Sequence, residues 1–381
     1  MRSLLAGMEW VTGRFREWTL PSRAAIFQAR TRLGSTMMVE LFAQVAKPFG
    51  VSGGSGFSRK WPLVSVDGTT LDLADVPAIE RAYGRPGTKT EFKSTFPQTR
   101  VLGLVEGGTH AVISAVVSGY HTAEHDLYPA LLADLKKDML LSADRGFYSY
   151  SAWKDSVATG ADLLWRMKAN NLLPVLKELA DGSYLSTLYP SSKDRRNNTA
   201  GIPVRVIEYD VTTGEDVSTF RLITNILDPV AADADDLASA YAKRWEIESC
   251  FDELKTHQRG PGLVLRSKTP DGVLQEIYGF LCVHYAIRSP IGTVAQHFEE
   301  DPLRFSFTGT LRAARRSLAA RPAFSPSAIG WSLHQLLPGN HPRAPALTTS
   351  PRRPTCRQTQ NVQMASQENT QTKNLSEQHW A

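Results

Sequence analysis

Apolar positions change their spacing several times along the chain, and each change marks an element. Residues 22–46 place apolar side chains at helical spacing, interrupted by Gly34-Ser35, and predict two short helices with Arg23, Arg30 and Arg32 on or beside the first. Such a pair could read DNA as a helix-turn-helix or simply pack. Residues 51–57, rich in Gly and Ser, predict a flexible linker. The period then becomes that of strands. Residues 61–66, 99–106, 110–118 and 139–143 are β-branched or apolar runs, the first ending at Asp67-Gly68 and the last at Asp144. Between the last two, Leu127, Leu131, Leu132 and Leu135 share one face of a helix expected over 126–137. That order lets the fourth strand return parallel to the first through a right-handed crossover, which brings the Asp67 and Asp144 strand ends side by side.

A second set of β-rich runs, at 163–167, 184–189, 204–211 and 217–226, reads as an inserted unit. A long helix is expected over 231–256, its acidic start at Asp233, Asp235 and Asp236 suiting the positive end of the dipole. A further helix is expected over 271–287, followed by a basic segment at 311–321, while the last forty or so residues have a disordered composition. The resulting organisation is a helical N-terminal domain at 1–50 that contacts DNA, a linker at 51–60, and an α/β catalytic domain at 61–300 with its insertion at about 155–228. A basic segment at 301–338 and a tail at 339–381 complete it.

The chain has 381 residues, 42% of them hydrophobic and 21% charged, which is enough to bury a sizeable core. No apolar run approaches the roughly 18 residues of a membrane helix, and the Arg-dotted start lacks a secretory stretch. Cys250, Cys282 and Cys356 are odd in number and far apart, matching neither a disulfide framework nor a zinc spacing. A cytoplasmic, nucleoid-associated protein is the expectation. The net charge of +5 hides a division. Residues 1–60 carry nine basic and three acidic side chains, 61–240 carry 17 and 24, and 241–381 carry 17 and 11. Basic flanks around an acidic middle suit either a polyanion held by the flanks and processed by carboxylates between them, or an ordinary solvated surface, and charge alone does not choose between the two.

In the long helix Tyr241, Arg244, Glu248 and Lys255 fall within an arc of roughly 60° at α-helical winding. Burying a phenol, a guanidinium, a carboxylate and an ammonium without partners would be costly. The stripe therefore reads as a solvated salt-bridged face, or as a phosphate-handling face with Glu248 as a metal ligand and the other three on the DNA backbone. Asp67 and Asp144 at neighbouring strand ends, with Glu248 on a packed helix, would repel by about 1–4 kcal/mol per pair, which a hard divalent cation relieves.

The run Tyr241-Ala-Lys-Arg244-Trp-Glu-Ile-Glu248 through Lys255 resembles the Y-x2-R-x3-E-x6-K signature of DDE transposases of the insertion-element-four type, matching all four positions. Two blocks resemble the family's strand motifs: Val66-Asp67-Gly68-Thr69-Thr70-Leu71-Asp72 and Ala143-Asp144-Arg145-Gly146-Phe147. Resemblance also runs through Phe96-Pro97-Gln98-Thr99-Arg100 and Arg266-Ser267-Lys268-Thr269-Pro270, over about residues 22–320. It implies an RNase H-like mixed sheet flanked by helices and interrupted by a β-rich insertion. It also implies a catalytic, metal-binding triad of Asp67, Asp144 and Glu248 with Mg²⁺ or Mn²⁺, two ions, and DNA contacts from Tyr241, Arg244 and Lys255. Substrates would be the terminal inverted repeats and target DNA, cut and joined by a homodimer. The start before Ser22 is shorter than the family's usual one and the resemblance ends near Pro338, so an impaired copy acting only as a DNA-binding remnant is the alternative. Trp153 and Trp165 are candidates by location for stacking a flipped base, and Trp153 and Trp245 are read as core. A rival motif, His121-Thr-Ala-Glu124-His125, fits an inverted zincin pattern, with Glu124 otherwise an acid at a helix start.

Overall fold

The computed structural model of the protein describes residues 21–49, 62–87, 94–213, 216–260 and 262–319; the linker expected at 51–60 and the tail at 339–381 lie outside them. Helices α1 (Arg23–Leu33) and α2 (Thr36–Val45) come first. The Ser22 hydroxyl caps α1 by accepting the Ala25 amide at 3.1 Å, and Gly34 ends it at φ +71°, a conformation that favours glycine. The helical break read at Gly34-Ser35 is therefore where the chain turns.

Next come β1 (Leu63–Asp72), α3 (Pro77–Tyr83), β2 (Gln98–Glu106), β3 (Ala111–Gly119) and α4 (Glu124–Leu127). After α4 the chain tightens into a 3₁₀ turn over Tyr128–Asp134. The α-helix expected over 126–137 is thus mostly 3₁₀: Pro129 has no amide to give to the carbonyl four residues back. Its leucines still face inward, Leu127, Leu131 and Leu135 all being buried.

The chain continues through β4 (Leu140–Ala143), α5 (Tyr150–Ala158), β5 (Asp162–Arg166), β6 (Lys177–Glu178), β7 (Tyr184–Leu188), α6 (Ser192–Asn197), β8 (Ile202–Thr213) and β9 (Asp216–Thr224). All nine strands form one mixed sheet in the order β3-β2-β1-β4-β5-β9-β8-β7-β6. β1 runs antiparallel to β2 and parallel to β4, β4 parallel to β5, and β5 antiparallel to β9. The parallel return of the strand leading to Asp144 is found as expected, but β1 does not end at Asp67-Gly68: its pairing with β2 continues through Asp72, which leaves Asp67 in mid-strand. The run at 163–167, grouped by pattern with the inserted strands, pairs directly with β4, and the long β8–β9 ribbon extends the same sheet instead of standing apart from it.

Alternation along β2 divides the core in two. Leu102 and Leu104 join Val64, Val66, Tyr128, Leu131, Trp153 and Trp165 on one face. Val101 and Val105 join Ile247, Cys250, Phe251 and Leu281 on the other.

The expected helix over 231–256 is wound in four pieces: α7 (Ala234–Ala242), a 3₁₀ turn (Lys243–Trp245), α8 (Glu246–Asp252) and a π turn (Glu253–Gln258). α9 (Pro270–Phe298) and α10 (Phe307–Ala319) follow, α9 running beyond the 271–287 expected from pattern. The N-terminal helices dock on α9. Gln275 bridges them, its Nε2 donating to the carbonyls of Arg30 and Gly34 at 2.7 Å each, and Asp271 accepts the Ser35 amide at 2.9 Å. Among the described residues no helix is long and apolar enough to cross a membrane.

Candidate active site

The parallel register pairs Leu63 with Leu140 and Ser65 with Ser142, and the buried Ser65 and Ser142 hydroxyls meet at 2.7 Å. The pairing ends at Ser65 and Ser142, two residues short of Asp67 and of Asp144, so both acids follow the same end of the paired stretch. The β4–β5 register pairs Ala143 with Trp165, so one further step sets Asp144 beside Arg166. Sheet geometry alone thus gathers two acids and an arginine from three strands.

Each acid is held by an arginine. Arg244, in the 3₁₀ turn and nearly buried, donates from Nη1 to Asp67 Oδ2 at 3.4 Å. Arg166 brings Nη1 to 3.8 Å from Asp144 Oδ1 while its guanidinium lies 3.7 Å over the Phe220 ring. Asp144 Oδ1 is buried and makes no hydrogen bond among the described residues. Burial pushes the Asp67 carboxyl above the usual carboxylate range; the Gly68 amide, donating at 2.8 Å, and Arg244 pull it back, while Glu124 and Glu248 push it further up.

The four signature residues converge despite the broken winding. Glu248 is exposed on α8 within electrostatic reach of Asp67, on the wall of a groove of about 620 Å³ shared with Asp252, Ser306 and Phe307. Lys255 donates from Nζ to Thr69 Oγ1 at 3.1 Å, two residues beyond Asp67 on the same strand face. Tyr241, read from sequence as a donor to DNA, is 3% exposed and gives its hydroxyl to the carbonyl of Ala143 at 3.4 Å, immediately before Asp144. Burial raises its pKa far above the ordinary phenol value. Among the described residues no three His, Cys, Asp or Glu side chains stand close enough to share a metal ion. The two aspartates rest on arginines instead.

Three residues at this site escaped the sequence reading. Glu124 takes the Arg100 guanidinium at 2.6 Å and occupies the space a side chain at Gly68 would need, a Cβ there falling 2.3 Å from its Oε1. Arg166 was hidden in a β run, and only the register reveals it. Thr69 lay inside the Asp67 block without a partner being visible. Two other expectations are corrected. Trp245 is 53% exposed, with the Arg244 guanidinium 5.4 Å from its ring, because its position on the 3₁₀ turn faces outward. Trp153 and Trp165 are wholly buried and meet edge to face at 5.4 Å, which is packing and leaves neither face for a base.

The zinc pattern divides in the same way. His125 pairs with Asp126 at 2.9 Å, whereas His121 packs edge-on to Tyr120 and beside Gly84.

Comparison with known proteins gives the family. The family described as transposase DDE domain matches residues 60–285, more than half of the chain. The chain therefore belongs to the DDE transposases, enzymes of DNA transposition that normally work with divalent metal ions. Its relatives are of the insertion-element-four type. Transposase InsG for insertion sequence element IS4 of Escherichia coli K12 is 25% identical over 317 residues, 82% of this chain and 71% of the relative. Putative transposase InsZ of the same organism is 28% identical over 164 residues, 42% of this chain and 52% of the relative. Among solved structures, the piggyBac transposase synaptic complex with hairpin DNA is similar with a TM-score of 0.43 at 11% identity, covering 74% of this chain and 59% of that one. The peptidase reading of His121 and His125 falls with the family assignment.

Proposed function

We propose that the chain cuts DNA at the ends of an insertion sequence and joins them to target DNA, with Asp67, Asp144 and Glu248 as its catalytic, metal-holding carboxylates on an RNase H-like core. The observation that supports this reading is the parallel pairing of the Asp67 strand with the strand that leads into Asp144, with Glu248 near enough to raise the Asp67 pKa.

The donors fit a hard divalent cation. All are carboxylates, Asp144 Oδ1 is buried without a hydrogen bond among the described residues, and Asp67 is raised by other acids, the repulsion a cation relieves. Mg²⁺ or Mn²⁺ bound there, as two ions, supplies activation of the attacking oxygen and stabilisation of the leaving one. Arg244 and Lys255 hold backbone phosphates around the cut. Tyr241 braces the Ala143 carbonyl and so sets the direction of Asp144, a positioning role in place of a DNA contact.

The N-terminal helices dock DNA through Arg23, Arg30 and Arg32, all exposed on α1, and α10 adds Arg312, Arg315 and Arg316 on its exposed side. A homodimer on paired inverted repeats completes the assembly.

The test is cleavage of a labelled duplex carrying the gene's own flanking ends, in Mg²⁺ or Mn²⁺ against chelator, for the protein and Glu248→Gln. Metal-dependent cutting at the boundary that disappears in the variant supports the reading. Cutting that persists in Glu248→Gln refutes the triad, and binding without cutting by the unmodified protein identifies a DNA-binding remnant.

A further inference from the structure

Between the β2–β3 turn, α8 and α9 lies a buried polar cluster that the reaction proposed above does not use. His110 sits at the β2–β3 turn in the left-handed region, φ +56°, unusual for a residue other than glycine. Its Nε2 lies 2.8 Å from Glu246 and its Nδ1 3.0 Å from Glu253, while its own carbonyl accepts the Cys250 thiol at 3.1 Å. Positions 246, 250 and 253 form one stripe of the helix. Glu248, about 200° round from Glu246, faces the opposite way.

The second wall comes from α9. Arg288, 2% exposed, donates from Nε to Glu253 at 2.9 Å, pairs again with it through Nη2, and brings Nη2 to 2.8 Å from His110 Nδ1. His284, wholly buried, places Nε2 3.2 Å from Glu253. Proton placement follows from these contacts. Arg288 can only donate, so His110 Nδ1 accepts and Nε2–H donates to Glu246. Burial lowers the His110 pKa and drives that of His284 down to about 3, in keeping with neutral rings.

We propose that His110 is a positioning residue that sets the rotation of α8, and through it the aim of Glu248 at Asp67; this rests on the reading of Glu248 given above. Apolar packing alone lets a helix roll, whereas two directional contacts on one stripe, Nε2–H to Glu246 and the Cys250 thiol to the His110 carbonyl, do not. A roll of about 15° at a side-chain radius of about 6 Å displaces a carboxylate by about 1.5 Å. A misplacement of that size costs on the order of 100-fold in rate. The unusual backbone at residue 110 is what lets ring and carbonyl address the same helix.

The experiment compares the full chain with His110→Asn, which tolerates the left-handed backbone but is too short to reach Glu246 as the ring Nε2–H does, and with Glu246→Gln and Glu246→Ala. Single-turnover cutting of the boundary duplex, duplex affinity and hydrogen exchange across 246–252 are read on each. The expected result for His110→Asn is a cutting rate about 100-fold lower with duplex affinity unchanged. Amides of α8 should exchange about tenfold faster while those of β1 do not change.

Glu246→Gln still accepts the Nε2 proton and should cut within about fivefold of the parent, whereas Glu246→Ala falls as His110→Asn does. Unchanged cutting and unchanged exchange in His110→Asn overturn the proposal, as does a loss confined to duplex affinity. If the unmodified chain does not cut, the catalytic reading fails and exchange alone decides whether the clamp exists. If His110→Asn does not fold, the Glu246 pair decides.

Discussion

The start of the signature segment hangs on a buried ion pair, and removing one partner should be costly. Arg205 on β8 is wholly buried and donates to the Ser183 hydroxyl at 2.7 Å, to the Ala232 carbonyl at 2.6 Å and to Asp181. Asp181, its side chain 9% exposed, also accepts the Ser183 hydroxyl at 2.6 Å and the Ala234 amide at 3.0 Å, the first amide of α7. Asp181→Ala leaves a buried guanidinium without its directly bonded carboxylate, Asp233 and Asp228 acting on it only from a distance, and takes a cap from α7. Breaking such a pair from one side costs about 3–5 kcal/mol. In a chain of 381 residues that corresponds to a melting temperature lower by roughly 4–9 °C. Calorimetry or urea unfolding checks it. Arg205→Met combined with Asp181→Ala should recover much of the loss, since an apolar replacement has no stranded charge. A loss below about 1 kcal/mol for Asp181→Ala would refute the argument, because a surface pair is worth no more than that.

The same pair predicts a pH dependence. Burial alone would raise the Asp181 carboxyl, but the Ser183 hydroxyl and Arg205 outweigh it and hold the pKa below the ordinary 3.8. A depressed carboxylate stabilises fully above its unfolded value and loses that contribution as the pH falls toward its folded one. Acid unfolding of the parent should therefore begin below about pH 4 at this site, and Asp181→Asn should flatten that limb of the stability curve. Trp153→Ala, emptying a fully buried site, should cost about 3–5 kcal/mol, whereas Trp245→Ala, on the surface, should stay within about 0.5 kcal/mol by urea titration. Gly119→Ala places a Cβ 2.9 Å from the Tyr83 carbonyl, backbone that cannot step aside, and should lower stability by about 1–3 kcal/mol in the same assay. Replacing His121 and His125 together with alanine should leave the zinc content unchanged by elemental analysis, a fall overturning the separation of their contacts.

Strands whose neighbours are near in sequence were legible: the β1, β2, β3 and β4 runs carry their own alternation and turn residues, and the Asp67–Asp144 juxtaposition follows from their order. The signature stripe was legible because helical spacing records direction. What pattern could not show was pairing between distant strands. Nothing in residues 163–167 says that β5 takes β4 on one edge and β9 on the other, and Arg166 arrives at Asp144 only through that choice. The exposure of Trp245 was misread because residue type stood in for direction on a turn that is not α-helical. Arg288 and His284 interrupt an otherwise apolar α9, and their partner Glu253 is supplied by another element.

The four-piece winding of the signature segment has a consequence for its letters. Three residues at 3₁₀ winding advance about 60° more than three in an α-helix, which by itself would carry Lys255 from about 40° behind Tyr241 to about 20° ahead of it. The π turn from Glu253 winds more slowly and removes phase where the 3₁₀ turn added it, and Lys255 returns to Thr69. The spacing of the motif therefore works as a pair of opposing phase errors. Deleting Glu253 or Leu254, the two residues of the π turn that precede Lys255, would rotate Lys255 by about 100°, so the segment is less tolerant of a shortening there than of most changes in side chain.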